Sequence, residues 1–208
     1  MNFSIHYLSI ALIPLQNKYV ELIRRWRNQS SVRTRMEYKK KISSQEQRTW
    51  FRNLDTWRNQ YFIIRHQEQL GGVLQLSNID YSHKKAEVGI FIGSPLWKGT
   101  CLPWLASYTL LRYAFESLGL SVLYAKVGQM NQRTIAYNQS LGFDFLKDLS
   151  RSFSIYHLTA NRWKKKIYSF QDLIDRLAQS HPYQLMLNPP GEKVKLVENH
   201  SSGIQVQY

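Results

Sequence analysis

Three segments in the middle of the chain carry the residue pattern of β-strands and follow one another without a helix between them: Tyr61–Arg65, Val73–Ile79 and Ala86–Ile92. The first is rich in aromatic and β-branched residues, which strands favour. The second follows the turn at Gly71-Gly72, and its successive residues point to opposite faces, as in a strand. Stretches with the apolar spacing of amphipathic helices lie on both sides of them. Adjacent strands with helices before and after predict an α/β fold, in which helices cover one mixed sheet.

The other predicted elements complete this order. A strand at Ser9–Leu15 and two helices, Asn17–Trp26 and Gln45–Leu54, come first, and Ser43 or Ser44 can cap the second helix. After the central strands we predict a helix, a strand, a helix and two strands, at Trp104–Leu118, Ser121–Val127, Asn131–Leu141, Phe145–Leu149 and Phe153–Thr159.

The composition changes after Trp163, where three lysines follow. We predict one domain over residues 1–163. Residues 164–208 are expected to form a short helix at Phe170–Ala178 and a flexible tail, because the segment from Pro189 onwards is polar and patternless.

Composition excludes several classes of protein. A chain of 208 residues with one cysteine, Cys101, has neither a disulfide framework nor a zinc site built from cysteines, and we predict no metal. No apolar run approaches the roughly 18 residues of a membrane span. The amino-terminal segment lacks the basic region and cleavage site of a signal peptide, so we expect a cytoplasmic protein.

Positive charge is concentrated near the amino terminus. The formal net charge is +14, and residues 18–41 hold nine basic against two acidic side chains. Such a patch attracts a polyanion, for example a nucleotide, CoA, RNA or an acidic peptide. A solvated basic face without a specific partner is the alternative.

A set of short motifs resembles the central motifs of the GNAT superfamily of N-acyltransferases over roughly residues 8–163. They are Ala86–Gly93, Lys98-Gly99, Tyr113-Ala114-Phe115, Asn131 and Leu141-Gly142-Phe143. Within that family, a second set is similar to the branch of the amino-sugar N-acetyltransferase of pseudaminic acid synthesis and the enzymes that acetylate ribosomal-protein amino termini: Trp26-Arg27-Asn28, Arg33, Met36, Ile42-Ser43, Trp50-Phe51 and Asn78-Ile79-Asp80.

The resemblance implies a mostly antiparallel sheet flanked by helices. It also implies transfer of an acetyl or longer acyl group from acetyl-CoA or another acyl-CoA to a primary amine. The first expected acceptor is a small molecule such as an amino-sugar nucleotide. An amine of a peptide or protein, and a non-catalytic protein that binds acyl-CoA or RNA, remain alternatives.

The donor is expected where a loop enters the helix after the third central strand, because a helix amino terminus suits a pyrophosphate. The family pattern, Arg/Gln-x-x-Gly-x-Gly/Ala, is altered here to Lys98-Gly99-Thr100-Cys101-Leu102-Pro103. Cys101 adds a Cβ and Pro103 has no N–H, so the donor makes fewer phosphate contacts or arrives on an acyl-carrier protein. A degenerate site is the alternative. The donor-binding candidates are Ile90, Phe91, Ile92, Lys98, Gly99, Thr100, Cys101, Leu102 and Asn131.

Candidates for the chemistry follow from the same resemblance. Glu87 is the candidate base, with His83 and Asp80 as alternatives in the adjoining link. A bulge in the strand is expected to free the backbone N–H of Ile90 or Phe91 for the oxyanion. Asn131 anchors the pantetheine arm, caps its helix, or does both.

The family tyrosine that protonates the leaving thiolate is replaced by Asn138, with Tyr137 one residue earlier. An offset of one residue turns a side chain by about 100° around a helix, so Tyr137 does not simply substitute and is expected to pack beside Leu141. Asn138 can donate a hydrogen bond to the sulfur. We expect Arg27, Arg33 and His83 to bind the acceptor, the two arginines through an anionic group.

Overall fold

The computed structural model describes residues 3–7, 9–180, 195–200 and 203–204. Its helices are α1 (Val20–Asn28), α2 (Ser30–Arg33), α3 (Ser44–Arg52), α4 (Leu102–Arg112), α5 (Gln132–Ser140) and α6 (Ala160–Ser180). Its strands are β1 (Phe3–Tyr7), β2 (Ile10–Pro14), β3 (Gln60–His66), β4 (Gln69–Asp80), β5 (Lys85–Ile92), β6 (Val122–Gly128), β7 (Asp144–Asp148), β8 (Phe153–Thr159), β9 (Lys195–His200) and β10 (Gly203–Ile204).

The described strands form one sheet in the order β10-β9-β1-β2-β3-β4-β5-β6-β8-β7. Among them β5 and β6 are the parallel pair, joined through α4, and the other neighbours run antiparallel. The predicted mixed, mostly antiparallel sheet with flanking helices is therefore confirmed.

Helices α1 and α3 lie on one face of the sheet. Ile23 and Trp26 of α1 pack against Ile63 and Val73 of the central strands. Helix α3 begins with a capping box, in which the Ser43 hydroxyl accepts from the N–H of Glu46 and the Glu46 carboxylate accepts from the N–H of Ser43. The cap predicted from the sequence is thus present, and it fixes where α3 enters the fold.

Helix α4 lies on the opposite face, with α5 and α6 beside it. Strand residues whose side chains point to this face, such as Leu74, Leu76 and Ile90, belong to the second and larger apolar cluster. Trp163 and Phe170 of α6 are buried in the same cluster. Helix α6 is therefore packed onto the main core, although residue 163 was the predicted end of the domain.

Some elements differ from the predictions. The first strand is a hairpin of β1 and β2, and α6 begins at Ala160 rather than at Phe170. Part of the predicted flexible tail, Lys195–His200, pairs antiparallel with β1 and so extends the sheet. The rest of that tail lies outside the described residues, apart from β10.

Candidate functional site

The parallel strands β5 and β6 separate part of the way along their length. Their pairing runs from Lys85 opposite Val122 to Val88 opposite Ala125 and goes no further. The later residues of β5 stay paired with β4 on their other side, as Phe91 does with Val73. A V-shaped gap therefore opens in the sheet between residues 89–92 and 126–128.

Backbone groups of Ile90 and Ile92 face this gap. The carbonyl of Lys84 accepts hydrogen bonds from the N–H groups of Ser121 and Val122, so even-numbered residues of β5 face β6. On the other side, the N–H of Gly93 donates to the carbonyl of Gly71 of β4. The same alternation directs the N–H of Phe91 at β4, away from the gap.

The bulge expected at Ile90 or Phe91 is not there. Pairing with β4 is regular at both residues, and the irregular register lies between Ser77 and Asp80. The free backbone groups arise because β5 and β6 diverge, which leaves one edge of β5 without a partner strand. That divergence is a tertiary property that no local sequence pattern reports.

A cavity of about 1200 Å³ passes through the gap and reaches both faces of the sheet. On the α4 side it is lined by Pro103, Trp104, Ser107, Tyr137 and Asn138. On the α1 side it is lined by Arg27, Glu46, Trp50, Tyr61, Gln75 and Glu87. One space thus connects two chambers through the opened strands.

Most of the predicted site residues line this cavity: Arg27, Glu87, Ile90, Phe91, Ile92, Lys98, Gly99, Thr100, Asn131, Tyr137 and Asn138. Cys101, Leu102, Arg33 and His83 are absent from its lining. Most of the residues predicted from the sequence thus surround one cavity, and four of them do not.

The loop before α4 turns at Gly99, whose φ is +81°, a conformation that glycine adopts without strain. Thr100 then uses its hydroxyl twice, donating to the carbonyl of Trp97 and accepting from the N–H of Leu102. Cys101 is half-buried and packs against the core beneath α4, and burial raises the pKa of its thiol. The Cβ of Cys101 therefore does not obstruct the cavity in the way the sequence suggested.

Tyr137 joins α5 to α4 on the cavity wall. Its hydroxyl donates to the carbonyl of Pro103 at 2.8 Å and lies 2.7 Å from the Ser107 hydroxyl. Burial raises the pKa of Tyr137 well above its ordinary value, so the group holds its proton. The hydroxyl of Tyr137 is therefore hydrogen-bonded to residues of α4.

Asn138 is buried, and its Nδ2 donates to the carbonyl of Thr134 at 2.8 Å. Its amide oxygen accepts no hydrogen bond from the described residues. Asn131 caps α5, since its Oδ1 accepts from the N–H of Thr134 at 3.2 Å. The capping role predicted for Asn131 is confirmed, and Asn131 also lines the cavity.

Glu87 is exposed on the α1 side of the gap. Its Oε1 accepts a hydrogen bond from Nδ2 of Asn78 at 3.1 Å, and it lies opposite Ser77 in the β4–β5 ladder. A carboxylate here can take a proton from a group that enters the α1 chamber.

Arg27 places a buried guanidinium nitrogen at the wall of the α1 chamber. It is half-buried, its guanidinium makes no hydrogen bond to the described residues, and its Nη1 is fully buried without a partner. The guanidinium carbon lies 5.9 Å from the centre of the Phe91 ring. Burial lowers the pKa of Arg27, and such a desolvated cation favours an anion from outside the chain.

The other two predicted acceptor-binding residues lie elsewhere. Arg33 donates to the carbonyl of Lys39 at 2.8 Å and so braces the loop before α3. His83 lies in the turn between β4 and β5, where its Nδ1 is 2.8 Å from a carboxylate oxygen of Asp80. Hydrogen bonds from Ser82 and from the backbone and ring of His83 hold the pKa of Asp80 well below its ordinary value.

Sequence reasoning missed several residues of the α1 chamber. Tyr61, Gln75 and Gly89 lie in one row across β3, β4 and β5, and the Gln75 side chain lies over Gly89. A glycine inside a strand is a signal of such close approach. Trp50 meets Tyr61 edge to face with the ring centres 5.1 Å apart.

The described part of the chain lacks two features, a metal-binding cluster and a membrane-spanning helix. No group of histidine, cysteine, aspartate and glutamate residues lies close enough together to hold a metal ion. None of the helices there combines the length and the apolar character that crossing a membrane requires.

Known proteins are similar to this chain in sequence and in fold. A family model for an acetyltransferase (GNAT) domain matches residues 10–144. A spermidine N(1)-acetyltransferase of Escherichia coli is 28% identical over 131 residues, which are 63% of this chain and 68% of that protein. The acetyltransferase PseH of Campylobacter jejuni is 28% identical over 145 residues, 69% of this chain and 87% of that protein.

Among solved structures, spermidine N-acetyltransferase from Vibrio cholerae in complex with CoA and spermine superposes with a TM-score of 0.68. The match covers 74% of this chain and 98% of that one, at 19% identity. At that identity the likeness shows the fold.

Proposed function

Since this chain belongs to the acetyltransferase (GNAT) domain family, we propose that it moves an acetyl or longer acyl group from an acyl-CoA to a primary amine of a small molecule. The observation that carries the proposal is the gap between β5 and β6. It offers the unpaired backbone of Ile90 and Ile92 to an extended thioester arm, and it joins a chamber on the α4 side to one on the α1 side.

The α4 side suits the donor. The gap binds the pantetheine arm, with Asn131 and Asn138 presenting amides from α5. Pro103 has no N–H, and the N–H of Leu102 is bonded to Thr100, so the helix end offers a phosphate fewer donors than usual. Lys98 and Arg133 at the cavity wall supply positive charge instead. An acyl-carrier protein is the alternative carrier of the thioester.

The chemistry needs a base, an oxyanion donor and a leaving thiolate. Glu87, directly or through water, takes a proton from the ammonium, whose ordinary pKa is about 10.4 for a lysine-like amine. The amine nitrogen then bonds to the thioester carbon, and the N–H of Ile90 stabilises the oxyanion. When the carbon–sulfur bond breaks, Asn138 donates a hydrogen bond to the sulfur. The nitrogen loses its extra proton, which passes through water to the departing thiolate and leaves an amide and a thiol.

The acceptor occupies the α1 side and carries an anionic group. Arg27 provides a half-buried guanidinium there that makes no hydrogen bond to the described residues, and a phosphate or carboxylate can bind it through two hydrogen bonds. An amino-sugar nucleotide combines an amine with phosphates and is the first candidate. The spermidine acted on by one relative is a polycation, which the charge of Arg27 disfavours.

A peptide or protein amine is the second candidate. Arg35, Met36, Glu37 and Tyr38 line the cavity from the loop before α3, and Lys39–Lys41 follow in the exposed part of that loop. A basic loop at the mouth of the α1 chamber suits an acidic macromolecule.

The first experiment is thermal unfolding of the protein with acetyl-CoA and with longer acyl-CoAs, because a ligand of the native state raises the melting temperature. We expect stabilisation by at least one donor. An Asn138→Leu variant should lose it, whereas Gln139→Leu at the next, exposed position should keep it. Absence of stabilisation by every donor would contradict the proposal.

The second experiment is mass spectrometry of candidate acceptors after incubation with the stabilising donor. An amino-sugar nucleotide, spermidine and a set of peptides with free amines should be compared. A product that is heavier by the acyl group identifies the acceptor. Transfer to peptides alone would support the second candidate.

A further inference from the structure

Asn78 interrupts the regular alternation of β4. Its φ is +52°, in the left-handed region that asparagine tolerates better than most residues. Leu76 and Ile79 both belong to the apolar cluster on the α4 side, so the backbone shifts by one residue between them. In a regular strand residue 78 would face that cluster, but Asn78 is exposed. The shift turns the Asn78 side chain away from the apolar cluster and toward solvent.

The released side chain meets Glu87. Nδ2 of Asn78 donates to Oε1 of Glu87 at 3.1 Å. The other carboxylate oxygen, Oε2, makes no hydrogen bond or ion pair to the described residues, so it is available to a proton donor in the cavity. Without Asn78 an exposed glutamate would sample several rotamers.

The loop between α3 and β3 holds Asn78 in place. Oδ1 of Asn59 accepts from the backbone N–H of Asn78 at 3.2 Å, and Nδ2 of Asn59 donates to the carbonyl of Asp55. The backbone N–H of the next residue, Ile79, donates to the carbonyl of Arg58 at 2.9 Å. Hydrogen bonds from the backbone N–H groups of residues 78 and 79 thus hold the irregular backbone in place. Backbone strain that is held in this way is typical of functional sites.

We propose that Asn78, held by Asn59, is a positioning residue that orients the Glu87 carboxylate toward the acceptor amine. The proposal rests on the proposed function, because it takes Glu87 as the base. The geometry that supports it is one continuous chain of hydrogen bonds from Asp55 through Asn59 and Asn78 to the cavity wall.

A double-mutant cycle tests this role. Asn78→Gly keeps the left-handed backbone without strain but removes the donor, so we expect kcat to fall about tenfold while KM for acyl-CoA stays within about twofold. In a Glu87→Gln background the same substitution should change kcat by less than about twofold. Equal losses in both backgrounds would overturn the proposal, because they would show that Asn78 does not act through Glu87.

Two variants control for the backbone. Gln67 has a φ of +50° in the exposed turn between β3 and β4, so Gln67→Gly makes the same kind of change far from Glu87 and should leave kcat unchanged. Asn78→Asp keeps a side chain that tolerates the left-handed region but opposes Glu87 with a second carboxylate, and it should lose at least as much activity as Asn78→Gly.

Crystal structures test the role of Asn78 independently of the proposed function. Crystal structures of the wild-type protein and of Asn78→Gly should show an ordered Glu87 carboxylate in the first and a displaced or disordered one in the second. An unchanged Glu87 in Asn78→Gly would overturn the positioning role. If the wild type transfers no acyl group to any amine, the proposed function fails, and this comparison still decides whether Asn78 orients Glu87.

Discussion

Lys126 of β6 and Glu37 of the loop before α3 form an ion pair at the α1 side of the cavity, with the ammonium nitrogen 2.8 Å from both carboxylate oxygens. Lys126 follows Ala125, the last residue of β6 that pairs with β5. The same ammonium lies 4.9 Å from the centre of the Phe153 ring. The pair therefore ties a loop of the amino-terminal region to the edge of the gap.

Breaking this pair should affect acceptor binding more than stability. Both side chains are partly exposed, and such pairs contribute about 0–1 kcal/mol to the free energy of unfolding. We expect Glu37→Gln to raise KM for the acceptor several-fold, because the loop is no longer held over the cavity, and to change the melting temperature by at most about 2–4 °C.

Glu21 supplies the matched control for that substitution. It forms an ion pair with Arg24 on α1 and is absent from the cavity lining. Glu21→Gln should leave KM for the acceptor unchanged. Equal KM values for wild type and Glu37→Gln, in steady-state assays at low and high salt, would show that the pair does not hold the loop over the acceptor.

Arg27 provides a test of the acceptor's charge. Replacement by glutamine removes a half-buried guanidinium that makes no hydrogen bond to the described residues, so the free energy of unfolding should stay the same or rise. For an amine that carries a phosphate or carboxylate, kcat/KM should fall about 10- to 100-fold. Arg27→Lys should restore little of this loss, because an ammonium lacks the planar fork of a guanidinium.

A comparison of two substrates distinguishes a loss of charge recognition from general damage to the site. The same kinetic assays with spermidine should show no loss in Arg27→Gln, since a polycation gains nothing from Arg27. Arg25→Gln, at an exposed position of α1, should leave both substrates unaffected. A parallel loss for the phosphate-bearing amine and for spermidine would contradict the anion-binding role.

Cys101→Gly tests the steric interpretation of the donor loop. If the Cβ of Cys101 faced the donor, its removal would tighten CoA binding. The structure places the side chain of Cys101 against the core beneath α4 and outside the cavity lining. We therefore expect no gain in CoA affinity by calorimetry. The melting temperature should fall, since glycine both leaves a void and loosens the start of the helix.

The Cys101 example shows what local patterns can and cannot predict. The order of the central helices and strands and the cap at Ser43 depend on residues close in sequence, and the structure confirms them. The position of the donor loop stays a prediction. The direction of Cys101 depends on the turn at Gly99 and on the packing beneath α4. Both are set by the tertiary structure.

Long-range pairs were missed for the same reason. Glu37 and Lys126 are 89 residues apart, and neither lies in a sequence motif that indicates its partner. Strand β9 pairs with β1 from the other end of the chain, and apolar and polar residues do not alternate along Lys195–His200, so its sequence gives no strand signal. The opened edge of β5 likewise depends on where β6 diverges, which the sequence of β5 does not encode.

Two tyrosines with raised pKa values predict how stability changes at alkaline pH. Burial raises the pKa of Tyr137 well above the ordinary value, and burial with a smaller effect of Tyr81 raises the pKa of Tyr113 to about 12. Above pH of about 10 the unfolded chain loses these protons while the folded chain keeps them. The unfolded state then binds fewer protons, so the free energy of unfolding decreases as the pH rises toward the raised pKa values.

Tyr137→Phe should separate the two contributions of this hydroxyl. At pH 8 the variant loses the hydrogen bonds to Pro103 and Ser107, and the free energy of unfolding should fall by about 1 kcal/mol. Between pH 9.5 and 11 its stability should decline less steeply than that of the wild type, because one group that titrates only after unfolding is gone. Urea unfolding at several pH values measures both effects, and Tyr168→Phe, which removes an exposed hydroxyl, is the control. Parallel pH profiles for wild type and Tyr137→Phe would mean that Tyr137 is not the buried, protonated phenol on which the geometry of the α4 wall depends.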